Sequence, residues 1–156
     1  SDAETIQNLL ISQFDFPEEN TRLLINEDAT KNNILRVFSD IVNVIEENDR
    51  LLIYFSGHGA TESLPNGGEN GYLMSVDSDP LDLLYSSISM AELKIISQRS
   101  IAKHILYLVD AAFGGISIVG NEENVNLDYL HDFIGDEMSD KVNKFFDELY
   151  KLQEAK

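Results

Sequence analysis

Two apolar runs that each end in glycines restrict this chain more than anything else in it. Leu51-Leu52-Ile53-Tyr54-Phe55-Ser56-Gly57-His58-Gly59 and Ile105-Leu106-Tyr107-Leu108-Val109-Asp110-Ala111-Ala112-Phe113-Gly114-Gly115 both open on unbroken stretches of large, mostly apolar side chains. Strict alternation would mark a strand with one wet face; an unbroken run marks a strand buried on both faces, as in the parallel sheet of an α/β fold. Such folds build their sites at the carboxyl ends of the strands. The first run carries His58 to that end and the second carries Asp110 and Ala112. Side by side, the two ends would set an imidazole next to residue 112, the geometry of a catalytic dyad.

The rest of the chain alternates helical and extended patterns. Residues Asp2 to Ser12 place Ile6, Leu9 and Leu10 on one helical face, and Phe14-Asp15-Phe16-Pro17 ends that helix. Thr21 to Asn26 reads as a short strand. Thr30 is a candidate N-cap for a helix to Glu46 whose Ile34, Leu35, Phe38, Ile41, Val42 and Ile45 recur at helical spacing. The polar, glycine-rich segment Ala60 to Asn70 reads as a mobile loop rimming the site, and Gly71 to Val76 as a further strand. Ser89 followed by Glu92 is a capping box that starts a helix through about Arg99, leading into the second apolar run. This βαβα order predicts an α/β fold with a largely parallel sheet and right-handed crossovers.

The two glycine-ended motifs, in this order and each behind a strand, resemble those of the caspase-like cysteine peptidases, in their metacaspase, orthocaspase and prokaryotic branch. Tyr54 to Gly59 matches that family's histidine motif, and Asp110 to Gly115 matches its nucleophile motif except at the cysteine. The resemblance runs from about Asp2 to about Val119. It divides the chain into a catalytic, large-subunit region at 1–119 and a segment at 120–156, an acidic linker plus an amphipathic helix from about Asp136, which could be a remnant of the small-subunit region. Val142, Phe145, Phe146, Leu149 and Leu152 form that helix's packing stripe. The implied fold is a caspase-like three-layer sandwich with a mostly parallel sheet and helices on both faces. The family fold also has a central strand ahead of its first helix, whereas this sequence opens at Ser1-Asp2-Ala3. A strand supplied by a segment outside this sequence, or by another chain, is therefore expected in the middle of the sheet.

The chemistry implied by the resemblance needs a thiolate, an imidazole to protonate the leaving amine, and backbone N–H donors for the oxyanion. His58 would be the general acid/base, since histidine titrates near neutral pH. The amides of Gly59 and of residue 112 would form the oxyanion hole, and Gly57 and Gly59 would let the turn adopt positive φ. Asp110, two residues before the nucleophile position, would line the S1 pocket and select arginine or lysine at P1 by charge and, for arginine, by bidentate hydrogen bonding. From the residue alone, Asp110 reads equally as a short acid capping the turn after a strand.

Ala112 departs from the pattern where it matters most. Alanine offers no nucleophile, no cysteine occurs anywhere in the sequence, and Ser56 and Ser117 are not at the matching position. A chain without the attacking group should be inactive by several orders of magnitude. A deliberate Cys→Ala change and a natural pseudoprotease both fit, and the otherwise intact motif favours the first. The reading is thus a regulated endopeptidase of cell death, stress or prokaryotic defence, disabled at Ala112. The alternatives are a peptide-binding scaffold and a regulatory subunit.

Composition narrows partners and place. Against 28 acids stand 11 lysines and arginines, a formal charge of -17. Such a surface repels nucleic acid and anionic membranes and favours basic partners. The expected partners are a protein or peptide substrate with a basic P1 residue and an activating protein or a second copy of the chain. No apolar run approaches the ~20 residues of a membrane span, and the lack of disulfides fits the cytoplasm. No cofactor is expected. Calcium activates many metacaspases, and Asp77, Asp79 and Asp82 could offer oxygen ligands; however, the family's acidic pair aligns with Ser86-Ser87, and Val119 stands where another acid is common. His104 and His131 lack the spacing of a zinc site, and Tyr54, Phe55 and Tyr107 read as core aromatics.

Overall fold

A computed structural model of the chain describes residues 1–112. The motif glycines Gly114 and Gly115, the linker and the helix expected from about Asp136 lie outside the described residues.

Helix α1 (Asp2–Gln13) starts on a capping box in which the Ser1 side chain accepts from the Glu4 amide while Glu4 reaches back to Ser1. It ends where Asp15 takes a positive φ of 57° and the Phe16 amide returns to the Leu10 carbonyl. Ile6, Leu10 and Phe14 are buried. The strand expected at Thr21–Asn26 does not form. That stretch is extended, from Thr21 (ψ 150°) to Ile25 (φ −137°, ψ 158°), yet it joins no ladder, and Asn26–Asp28 closes into a 3₁₀ turn with Asn26 at φ 51°. An extended segment becomes a strand only beside another one. The Gln7 amide ties it to α1 through the Thr21 hydroxyl at 2.8 Å.

Thr30 caps α2 (Lys31–Val44) as its sequence position implies, its hydroxyl accepting from the Asn33 amide. The helix stops two residues short of Glu46 because Ile45 turns extended and the Asp49 carboxylate takes the Glu46 amide at 2.8 Å. Strand β1 (Arg50–Ser63) then runs straight through His58. The loop expected at Ala60–Asn70 is instead mostly sheet: β1 continues to Ser63, a tight turn with Gly67 and Gly68 at positive φ reverses the chain, and β2 (Glu69–Met74) pairs back on it. Polarity misled the reading there, since the hairpin is polar because it projects into solvent. A single turn, α3 (Leu83–Ser86), precedes β3 (Ile88–Ser89). The Ser89–Glu92 capping box opens α4 (Met90–Arg99), which leads to β4 (His104–Ala112).

The sheet order is β3-β2-β1-β4. β1 and β4, joined through α4, form the expected parallel ladder, in register from Arg50 with His104 to His58 with Ala112. β2 and β3 add an antiparallel extension that the alternation of elements did not foretell. On one face Ile53, Phe55, Tyr107 and Val109 pack with Phe38 of α2 and Leu93 of α4 around Leu73 and Ile88. The Tyr107 hydroxyl reaches Ser97 on α4 at 2.7 Å, so burial of the ring leaves no polar atom stranded. Burial also pushes the Tyr107 phenol above its ordinary pKa.

The segment after β2 is fastened to α2 by polar contacts. The Asp77 carboxylate accepts from the Lys31 amide at 2.9 Å and from the Ser75 hydroxyl at 2.7 Å, and the Val76 amide donates to the Ala29 carbonyl. A carboxylate on a first-turn amide is a cap delivered from another part of the chain. These bonds, the Lys31 amide first, hold the Asp77 carboxyl below the ordinary carboxylate range. A depressed folded-state pKa contributes stability that is present above the unfolded pKa and lost as pH falls through the folded one. Asp77→Ala is expected to lower the unfolding free energy by about 1 kcal/mol at neutral pH. In urea titrations the gap between variant and parent should close as the pH drops below about 4.

Candidate active site

The β1–β4 register sets the site. Neighbouring parallel strands lie about 4.8 Å apart, and residues level with each other present side chains to the same face. Ser56 is level with Asp110, and His58 is level with Ala112. The ladder therefore brings together the histidine and the nucleophile position, with the acid one pleat behind. Ser56 and His58 are exposed and Asp110 is half-buried.

One further residue belongs here that the sequence reading passed over. The Ser56 hydroxyl donates to the Asp2 carboxylate at 3.3 Å. Asp2 sits in the first turn of α1, 54 residues from Ser56, and its local pattern signals only a helix start. No short-range feature could have linked it to the site; only the packing of α1 on the sheet does. Asp2 thus bonds a hydroxyl whose residue stands level with Asp110, two positions before His58.

The glycines work differently from the expectation. Among the described residues only Gly67 and Gly68 are glycines with positive φ; Gly57 and Gly59 are ordinary strand residues, Gly59 being paired with Leu73. Gly57 is needed for space. A Cβ there would lie 3.0 Å from the tip of the Phe55 ring, which folds over it from the same face.

The three acids considered for calcium each accept a backbone amide. Asp77 holds the Lys31 amide, an Asp79 oxygen accepts from the Leu81 amide at 2.9 Å, and an Asp82 oxygen caps Tyr85. The Ser86 hydroxyl bonds the Asp79 and Asp82 carbonyls, and the Ser87 hydroxyl donates to Ser78. Among the described residues no group of three histidines and carboxylates converges as metal ligands. His104 opens β4 opposite Arg50; His131 lies outside the described residues.

Residues 1–118 match the family model of the metacaspase, peptidase C14 domain. The chain belongs to this metacaspase family. That membership makes the fold caspase-like and the family chemistry that of a cysteine peptidase. Among curated relatives, metacaspase-1 of Eremothecium gossypii is 36% identical over 78 residues, 46% of this chain and 17% of that protein. Metacaspase-3 of Arabidopsis thaliana is 33% identical over 75 residues, 44% of this chain and 21% of that protein. Metacaspase-2 of the same plant is 35% identical over 75 residues, covering 44% and 18%. The chain thus spans about a fifth of these relatives' length.

Because the Phe55 ring roofs Gly57, Gly57→Ala should tilt that ring out of the metacaspase core and lower the thermal midpoint by several degrees, about 1 kcal/mol. Calorimetry of Gly57→Ala with Phe55→Leu should recover most of the loss, since the smaller side chain removes the collision.

Proposed function

We propose that the parent protein is a cysteine endopeptidase that cleaves after arginine or lysine, and that Ala112 disables it in this chain. The observation that carries this reading is a single ladder holding Ser56 level with Asp110 and His58 level with Ala112, with Asp2 on the Ser56 hydroxyl. A P1 guanidinium would lie against Asp2 and Asp110, with the Ser56 hydroxyl between them. The P1 carbonyl would then fall over the end of the ladder, one pleat on, at residue 112.

With cysteine at 112, the sulfur would attack that carbonyl and its proton would pass to His58. The carbonyl oxygen would take up the negative charge within reach of the residue 112 and Gly59 amides. His58 would then protonate the departing amine. Water, deprotonated by the same imidazole, would release the acyl group and restore the thiol. With alanine the first bond cannot form, while everything that recognises peptide remains. The chain should therefore bind a basic peptide without cutting it, which is also how a pseudoprotease scaffold would behave. Among the described residues no helix is long and apolar enough to cross a membrane, and we place the protein in the cytoplasm.

Calorimetric titration of the Ala112 chain with peptides bearing Arg, Lys, Asp or Leu at P1 should give binding for the first two only. Asp110→Ala and Asp2→Ala should each weaken it at least about tenfold, as loss of a charge-assisted pair does. Ala112→Cys in the full-length protein should then cleave the same two peptides, with turnover abolished by His58→Ala. Equal binding of Asp and Arg peptides would overturn the pocket assignment. Binding with a silent revertant would favour the scaffold.

We also propose that the loop between β2 and β3 needs no calcium, because serine hydroxyls and backbone amides do the joining that an ion would do. Millimolar calcium should leave the thermal midpoint unchanged. A rise of more than about 2 °C would contradict this, since binding to the folded state alone raises stability.

A further inference from the structure

β1 does not stop at His58. It runs on to Ser63 in the hairpin, and along a strand every second residue shares a face. Ser56, His58, Ala60 and Glu62 therefore stand in one row on one side of the sheet. Glu62 lies about 13 Å beyond His58, on the opposite side of it from Ser56 and Asp110.

The Glu62 carboxylate is exposed, yet it is held. The Tyr72 hydroxyl donates to one of its oxygens at 2.9 Å. Tyr72 stands on β2 level with Ala60, on the same face as the row, and is 1% exposed. A ring fixed by burial gives this exposed carboxylate a defined position that a glutamate on a polar hairpin otherwise lacks. Burial first, and then the Glu62 carboxylate, push the Tyr72 phenol above its ordinary pKa, so the hydroxyl stays protonated and remains the donor.

No cation of the chain's own neutralises that charge. No lysine or arginine occurs between Arg50 and Lys94. Among the described residues the ion pairs are those of the Ser1 amine with Glu4 and of Lys31 with Glu92, and neither engages Glu62. Ala60, with a single methyl, is all that β1 places between His58 and Glu62 on this face.

We propose that Glu62 is a specificity residue on the far side of the scissile bond, binding a lysine or arginine two residues after it, at P2′. This rests on the reading of the P1 site given above. An extended peptide repeats its faces every second residue, so the P1 and P2′ side chains point the same way, about 7 Å apart. With the P1 side chain at the level of Ser56 and Asp110 and its carbonyl at residue 112, the P2′ side chain falls over Ala60. Glu62 is then one pleat on, within the length of a lysine or arginine side chain, whose stem can lie along the sheet while its charged head meets the carboxylate. Tyr72 is a positioning residue that keeps the carboxylate in place. The site reads a basic residue on each side of the cut.

The test is calorimetric titration of the chain with peptides carrying Arg at P1 and Lys, Ala or Glu at P2′. The Lys peptide should bind about fivefold more tightly than the Glu peptide, the yield of one exposed attraction exchanged for one repulsion. Glu62→Gln, which still accepts from Tyr72, should bring the two within about twofold of each other, and Glu62→Lys should reverse their order. Tyr72→Phe should lower the Lys-over-Glu ratio without changing the Arg-over-Leu ratio at P1, which a general loosening of the fold would lower as well. A ratio that survives in Glu62→Gln would overturn the proposal and assign the preference to the chain's overall charge of -17. Equal binding of the Lys and Glu peptides, with Arg still preferred at P1, would overturn it alone. A Glu62-dependent preference at P2′ without selectivity at P1 would uphold it and overturn the P1 assignment. Absence of binding by every peptide would overturn both.

Discussion

The parallel pairing of β1 with β4 is the constraint on which everything else rests. Because the side-chain period of a strand is two, a slip of one residue would send His58 or Asp110 to the opposite face and dissolve the site. Nothing within two all-apolar runs forbids such a slip, since Leu, Ile and Val suit either face. The register is fixed from outside the ladder. Tyr107 must keep its hydroxyl on Ser97, the Lys103 amide holds the Asp49 carbonyl at 2.9 Å just ahead of the first pair, and the capping box at Ser89 fixes where α4 begins. The level pairing of His58 with residue 112 at one end of the strands is thus secured by ordinary hydrogen bonds at the other end and on the helix beneath.

The parts legible in the sequence were those whose cause is local or whose pattern has one reading. The capping boxes, the Thr30 cap, the apolar stripe of α2 and the two apolar strand runs all carry their determinants within a few residues. The His58, Asp110 and Ala112 trio came from those strands plus the family resemblance, and the ladder makes the three neighbours. What misled was environment. Ala60–Asn70 is polar in a hairpin whose outer part, from Glu62 to Glu69, is exposed, so a composition typical of loops hid a strand. Thr21–Asn26 has strand chemistry but, among the described residues, no strand beside it to pair with. Asp2 and Ser56 were invisible as a pair because proximity across 54 residues is a property of the packed α1 and not of either segment.

The segment from Ser75 to Ser87 is held together by a small set of hydroxyls. Ser87 is fully buried and Ser75 nearly so, yet both are satisfied: Ser87 donates to Ser78, and Ser75 bonds Asp77. A cluster of acids in the same place would repel unless a cation held it together. Here the carboxylates are turned outward onto backbone amides and the interior is neutral. Lys31 adds the only cationic contacts assigned to this corner among the described residues, with the Tyr85 carbonyl at 3.0 Å and Glu92 at 3.6 Å. The exposed part of that pairing is worth little in water, so the hydrogen bonds to Asp77 and among the serines carry the joint.

The two halves of the candidate site are held differently. His58 and Ala112 are set level by the β1–β4 ladder itself. Asp2 is carried by α1, whose Ile6 and Leu10 are buried, and reaches the sheet by one 3.3 Å hydrogen bond to Ser56. The level pairing of His58 with residue 112 therefore follows from the sheet register alone, whereas the place of Asp2 depends also on how α1 packs, so a change at the buried face of α1 would move Asp2 before it moved His58.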